Sequence, residues 1–477
     1  MMRALLATGA ALAASLATPA AAQRHNADVV LRHVNIVDVE RGRTIADQAV
    51  AIRGDRILAT GADRALARRF AAARSIDARG KYVMPGLWDM HVHFGGGPDL
   101  IAENKALLPV YVAFGVTTVR DAAADLAPAV LQWRGEVAAG RLLGPTIFTS
   151  GPKLEGYKPL WKGTIEVGTP AEVDAALDRL QAMRVDFVKI TDNTLKPEIF
   201  LYAVGAAKRR GLKTSAHTPF ALTIDRAATA GLSSVEHLDY LIKAGSPEEA
   251  RIGADYAAGK LTYGAASDRF VDTFNAAYAR RAYRQLAASG VAVTPTLNMS
   301  RILAFLDREN HALDPSLALI GPGLRKTYDW RVERAAKATP AEVAARHREY
   351  NLSLRVLAML RDAGIPILAG TDAGYLNSFN YPGQGIHDEL ALYVAAGLTP
   401  AQALATATRT GPAFLGRSGE YGAVARGRVA DLLLLNANPL QSIAATRAIH
   451  GVMLKGRMLD RSALDLLIAD AKAAAAR

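Results

Sequence analysis

Apolar and polar positions divide the chain into segments of different rhythm. From Asp28 to about Pro85, short apolar runs alternate with turn residues: Val29-Val30-Leu31, Val34-Asn35-Ile36-Val37, Val50-Ala51-Ile52 before Gly54-Asp55, Ile57-Leu58 and Tyr82-Val83-Met84. Such runs, punctuated by Gly and Asp, predict short strands of a β-sandwich. The same texture returns far downstream, where Gly427-Arg428-Val429-Ala430-Asp431 precedes Leu432 to Leu435 and Gly451-Val452-Met453-Leu454 follows. The two ends, residues 23–85 and 416–477, are therefore expected to build one small β-sandwich domain around a central insert.

Within that insert, residues 86–415, strand-like runs recur between helical patterns at 87–93, 116–121, 146–150, 186–190, 213–217, 233–238, 291–297 and 365–371. Strands alternating with helices imply an α/β fold of parallel βα units, and eight of them predict a (β/α)8 TIM barrel. Three helix starts are written explicitly as Thr169-Pro170-Ala171-Glu172, Thr339-Pro340-Ala341-Glu342 and Thr399-Pro400-Ala401-Gln402. Each offers a capping Thr, a proline at the first helical position and a reciprocal Glu or Gln. Val173, Leu177 and Leu180 follow at helical spacing and should face the barrel. Two long connections, about 243–290 and 298–364, are expected to hold extra helices over the barrel mouth.

Composition narrows the chemistry. Among 477 residues half are hydrophobic and 21% charged, which excludes a disordered, collagen-like or coiled-coil chain. Cysteine is absent, which removes disulfides, thiolate nucleophiles, Cys-based zinc sites and iron–sulfur clusters. Any metal must be held by His, Asp, Glu or Lys. The formal charge of +12 is scattered, its densest run being Lys208-Arg209-Arg210, so a solvated basic surface is expected and no nucleic-acid partner. Residues 1–22 open Met-Met-Arg, continue Ala/Leu-rich from Ala4, and end Ala20-Ala21-Ala22 before Gln23. That is a secretory signal peptide pattern, with a periplasmic or secreted destination. Its Thr, Ser, Gly and Pro and its shortness speak against a stable membrane anchor.

The candidate chemistry sits at predicted strand ends. His91 and His93 are two apart in Asp89-Met90-His91-Val92-His93, so on a strand they share one face. Lys189 ends the fourth strand, His217 the fifth and His237 the sixth, and Asp372 follows the eighth. Active sites of such barrels form at the carboxyl ends of the strands. His25 and His33, His311 and His347, and His450 fall elsewhere and are expected to be structural. Imidazole and carboxylate ligands fit Zn²⁺, Mn²⁺, Fe²⁺ or Co²⁺. Four histidines and an aspartate exceed one tetrahedral ion, and two ions about 3.5–4 Å apart would use them all, given a bridging anion.

Taken together, Met84-Pro85-Gly86-Leu87-Trp88-Asp89-Met90-His91-Val92-His93, Val188-Lys189-Ile190, Ala216-His217-Thr218, Val235-Glu236-His237 and Ala369-Gly370-Thr371-Asp372 resemble the amidohydrolase superfamily. The branch they are most similar to is the imidazolonepropionase-like and Xaa-Pro dipeptidase-like group; Gly427 to Leu432 is similar to the segment by which these enzymes return to their β-sandwich. The resemblance implies that His91, His93 and Asp372 hold the more buried of two divalent ions, zinc by expectation, and that His217 and His237 hold the more exposed one. It also implies that Lys189 is carboxylated and bridges the pair. A water shared by two cations has its pKa lowered towards about 7, giving a metal-bridging hydroxide. Asp372 would serve as general base and then general acid.

The resemblance thus implies an exported dinuclear metal-dependent amidohydrolase cleaving an amide C–N bond of a small substrate: an N-acyl amino acid, a dipeptide or a cyclic amide. Lactone or phosphotriester hydrolysis on the same site, a mononuclear hydrolase or deaminase, and a non-catalytic metal-binding scaffold are the alternatives; homo-oligomerisation stays open. Tyr240 and Arg120 are candidates for substrate contact or for structural roles. Lys153 and Tyr157 lie in Ser150 to Tyr157, where many dipeptidase-like relatives have a Gly-Gly-His loop, and are further substrate-binding candidates. His387 begins a predicted helix and is expected to support or cap rather than react.

Overall fold

The computed structural model of the protein describes residues 25–122 and 125–477. The predicted signal peptide, residues 1–22, lies outside the described residues.

Both ends of the chain share one eight-stranded mixed sheet. Its spine is His25–Asp38, which pairs antiparallel with Arg43–Arg53 and parallel with both Phe70–Asp77 and Tyr82–Pro85. Tyr82–Pro85 in turn pairs with Leu432–Leu435, which continues through Ile449–Leu454 to Arg457–Asp460. The apolar runs at Val29 and Val34 are thus one strand and not two. Register shifts at Val34 and a left-handed His33 (φ 54°) bend it where the sequence suggested a break. One face packs Leu31, Val34, Val83, Leu432 and Met453 together, while Leu433, Leu435 and Val452 join the large core that also contains Val116 and Val119. Two helices went unforeseen in this region, Asp63–Arg69 and Arg461–Ala475. The second is capped by Asp460 and packs on the helix Leu108–Ala113.

The central part is α/β with two parallel sheets. One runs Ala373–Gly374, Leu87–His93, Val116–Asp121, Thr146–Thr149; the other Ile165–Glu166, Leu154–Glu155, Val188–Ile190, Thr214–Ala216, Ser234–Glu236, Ala292–Thr294. Backbone bonds join them on both flanks: Asp186 N donates to Thr149 O (2.9 Å), Leu368 N to Val293 O (2.8 Å) and Met90 N to Ala369 O (2.8 Å). The run predicted as the eighth strand, 365–371, makes isolated bonds such as those at Leu368 and Ala369, and regular pairing comes at Ala373–Gly374 beside Val92 and His93.

Local signals behaved as their chemistry requires. All three Thr-Pro-Ala-Glu/Gln starts form capping boxes, opening the helices Pro170–Ala182, Pro340–Ala363 and Pro400–Thr406. Val173, Leu177 and Leu180 are fully buried. The long connections hold helices, among them Leu297–Phe305, Asp329–Ala336 and Pro340–Ala363. Among the described residues no helix is long and apolar enough to cross a membrane.

Candidate metal centre

Beneath the carboxyl ends of the parallel strands, Trp88, Met90, Phe148, Ala292, Leu368 and Phe414 form an apolar plug, and above it the polar residues begin. His91 and His93 do share a face: their Nε2 atoms are 3.2 Å apart. Asp372 Oδ1 lies 3.4 Å from His91 Nε2 and 2.7 Å from His93 Nε2. Across the cluster, His217 Nε2 and His237 Nε2 are 3.0 Å apart, and the His91 and His237 ring centres are separated by 5.1 Å. Two glycines permit this approach. A Cβ on Gly370 would stand 2.8 Å from His91 N, and one on Gly374 would collide with His93 O. Asp372 (φ 66°), His237 (φ 72°) and Thr296 (φ 48°) are left-handed, each costing about 1–3 kcal/mol, and this turn is where the strands end in the cluster.

A second layer fixes the imidazoles. Glu236 is fully buried and accepts from His91 Nδ1 (2.6 Å), Arg120 Nη2 (2.8 Å), Ser215 Oγ (2.6 Å) and Ser234 Oγ (2.6 Å). Burial alone would raise its pKa; the Arg120 guanidinium and the His91 ring instead hold it well below the usual range. Because a carboxylate can only accept, His91 carries its proton on Nδ1 and turns the lone pair of Nε2 towards Asp372. Lone pair facing carboxylate is repulsive unless a cation stands between them, so this donor set fits a metal ion. Asp89 accepts from Thr371 N (2.9 Å), Thr371 Oγ1 (2.6 Å) and His91 N (3.2 Å), tying the Asp372 turn to the first strand.

Electrostatics favour neutral imidazoles and an ionised Asp372. Burial, reinforced by the Lys189 charge, pushes His91 down to about 3, and burial holds His217 and His237 below the ordinary histidine value. Asp372, despite burial, is kept below the carboxylate range by its bond to His93. Metal ligands of these types must be deprotonated, and the shifts of His91, His217, His237 and Asp372 all run in that direction. Lys189 is 1% exposed, its Nζ has no hydrogen-bond partner, and burial pushes it down to about 8. An isolated buried ammonium is costly.

His93, Lys153, Lys189, His217, His237 and Asp372 line one cavity of about 100 Å³, together with Trp161, Arg331, Tyr375 and Asn377. Three residues offered as substrate contacts are placed elsewhere. Arg120 is fully buried under His91, its Nε donating to Met90 O and its guanidinium sandwiched by Phe187 and Phe414; it is a structural cation, not a substrate ligand. Tyr157 is 52% exposed and donates to Glu172 Oε2 (2.7 Å) outside the cavity. Tyr240 donates to Asp192 Oδ1 (3.2 Å) and stacks on His217 (5.7 Å), buttressing a histidine without lining the cavity. Lys153 does line it, its Nζ 5.1 Å from the Trp161 ring centre and its pKa pushed by burial down to about 7. His387 joins Thr446 Oγ1 (2.9 Å) to Phe114 O (2.9 Å), away from the cluster. Sequence reasoning left Glu236, Asp89, Asp192, Arg331 and Asn377 without roles. The charged residues inside otherwise apolar strands, Asp89 and Glu236, were the available signal; Arg331 and Asn377 had none.

Residues 82–459 match the model of the family described as Amidohydrolase family. The chain belongs to the amidohydrolase family. Its members are metal-dependent, and the chain is a hydrolase acting on small molecules. It is 27% identical to an imidazolonepropionase of Anaeromyxobacter sp. strain K over 463 residues, 92% of this chain and 97% of that protein. To an imidazolonepropionase of Chloroflexus aggregans it is 49% identical, but over only 59 residues, 12% of this chain and 14% of that protein. In fold it superposes on a Xaa-Pro dipeptidase with methionine bound in its active site, TM-score 0.65 at 19% identity, covering 91% of this chain and 99% of that one.

Proposed function

We propose that the protein is an exported, dinuclear metal-dependent amidohydrolase that cleaves an amide C–N bond of a small substrate: an N-acyl amino acid, a dipeptide or a cyclic amide. The observation that carries this is the meeting of His91, His93, His217, His237 and Asp372 around the sealed, unpartnered amine of Lys189. In this reading the amidohydrolase domain is residues 86–415 and folds as a (β/α)8 barrel, which the bonds at Thr149, Val293 and Ala369 flanking the two parallel sheets support. In the same reading residues 23–85 and 416–477 make up a β-sandwich domain, which the eight-stranded sheet shared by strands from both segments supports. Export is supported by the pattern of residues 1–22, and sequencing of the mature N-terminus should begin near Gln23.

His91, His93 and Asp372 would hold one divalent ion, zinc in this reading, and His217 and His237 the other; His91, His93 and Asp372 bring ligand atoms within 4.8 Å of one another. Bound there, the ions supply Lewis-acid activation of a water and of the scissile carbonyl. Lys189, as an amine shielded from solvent, would add to CO₂ to give a carbamate and a released proton, so that an anion would replace a buried cation in the cavity that His93, His217, His237 and Asp372 line. Asp372 takes the proton of the attacking water and delivers it to the leaving nitrogen. Asn377 Nδ2 donates to Asp372 O and Asp89 holds Thr371, so the carboxylate is kept in place through both transfers.

Lys189→Ala tests the reading. Metal content should fall from about two ions per chain and activity against a panel of N-acyl amino acids, dipeptides and cyclic amides should vanish, with partial recovery on adding formate or acetate. Wild-type metal content and turnover in Lys189→Ala would refute it.

A further inference from the structure

Beside the metal centre lies a second chamber of about 310 Å³ that amide hydrolysis itself does not require. It shares His237, Asp372 and Arg331 with the first cavity. Its outer wall comes from the long connection after residue 297: the helices Leu297–Phe305, Asp329–Ala336 and Pro340–Ala363. They bring Arg331, Arg334 and Arg346 to a single space.

Arg331 is fixed at the junction, Nε donating to Leu376 O (2.9 Å) and Nη2 to Asn377 Oδ1 (2.8 Å). Arg346 is different. Its Nε and Nη2 are shut off from solvent and have no hydrogen-bond partner. A guanidinium presents those two donors as one edge of a planar fork, the edge that matches a carboxylate. Buried donors left without an acceptor cost free energy, and a folded protein keeps such a group where a ligand completes it. The carboxyl groups of the chamber do not serve: neither Asp239 nor Glu349 accepts from Nε or Nη2 of Arg346. Burial, with Asp239 and Asp268 adding to it, pushes Glu349 up to about 8, leaving it a neutral acid at pH 7 that can itself donate. Arg331, Arg334 and Arg346 share the chamber with Asp239, Glu349 and Asp372, and Asp372 belongs to the proposed metal ligands.

We propose that this chamber is an anion subsite of the hydrolase, which binds a carboxylate carried by the substrate away from the scissile amide, with Arg346 as its ligand and Arg331 lining the passage from the metal centre. The substrate class is thereby an amide with a distal carboxylate, such as an N-acyl derivative of an acidic amino acid. This rests on the hydrolase reading above, and the test separates the two.

The metal-loaded full chain is assayed with paired N-acyl-glutamates and N-acyl-glutamines, which differ only in the distal carboxylate. In wild type the glutamate should have a KM lower by at least about tenfold, the discrimination expected of one charge-assisted fork. Arg346→Gln should collapse that ratio to near one by raising the glutamate KM with little change in kcat, and Arg346→Lys, which keeps the charge but not the fork, should restore part of it. Calorimetric titration with glutarate gives a reading independent of turnover: wild type should bind it at least about tenfold more tightly than Arg346→Gln. Equal KM for both amides and equal glutarate affinity in wild type and Arg346→Gln would overturn the subsite and leave the hydrolase reading standing. Glutarate binding that depends on Arg346, without hydrolysis of any amide in the pairs, would support the subsite and count against the hydrolase reading.

Discussion

Glu236→Gln is the sharpest probe of how the fold holds its metal ligands. The carboxylate is fully buried with four hydrogen-bond donors at 2.6–2.8 Å, two of them on His91 and Arg120. Glutamine preserves the shape: its carbonyl still accepts from His91 and Arg120, and its amide meets two serine hydroxyls that can rotate to accept. Only the charge is lost. At 2.8 Å, the attraction between Glu236 and Arg120 is about 6 kcal/mol at an effective dielectric of about 20. Removing one member of a buried pair leaves the other charged and uncompensated, a net loss of about 3–5 kcal/mol. His91 also loses the anion that raises its basicity, and changes of this kind weaken metal affinity about 10–100-fold. Chemical denaturation and competitive chelator titration at pH 7 measure the two effects separately. Glu236→Gln should keep its secondary structure, unfold at lower denaturant and yield metal to a weaker chelator. Adding Arg120→Met should recover part of the stability but not the metal affinity. A Glu236→Gln protein matching wild type in both assays would refute the reasoning.

Other outcomes follow from the same geometry. Asp372→Asn should lower kcat by about 10²–10⁴-fold, measured as initial rates per bound metal; retained turnover would require another base. Glu349 keeps a proton up to about pH 8, whereas in the unfolded chain it loses it near pH 4.3. The folded state therefore loses stability from this group as pH rises between those values, and is level above them. Thermal midpoints at pH 5 and 8.5 should show a decline in wild type that is smaller in Glu349→Gln, and identical pH profiles would contradict it. His387→Ala strands Phe114 O, while Thr446 Oγ1 keeps its bond to Ile443 O, and should cost about 1–3 kcal/mol in denaturation experiments while leaving turnover per metal-loaded chain intact.

What was legible from the chain alone was whatever a short stretch decides by itself. The Thr-Pro-Ala-Glu/Gln starts cap helices through bonds spanning three residues, and all three do so. His91 and His93 share a face because a strand repeats every two residues. Lys189, His217, His237 and Asp372 meet them because parallel strands put their carboxyl ends on one rim. The union of the two chain ends in one sheet was readable too, since the texture of short apolar runs between turn residues at 28–85 returns after residue 427.

Tertiary structure alone decided which way each remaining polar side chain turns. Arg120 ends a strand as the ligands do, yet its register points it under His91 into Glu236, and Tyr157 leaves the cavity for Glu172. Arg331 reaches the metal-centre cavity, and Arg346 the chamber beside it, from helices in an insertion with no motif, because their place depends on packing between elements distant in sequence. Periodicity assigns a residue to a face; what that face meets is set by contacts that no local pattern encodes.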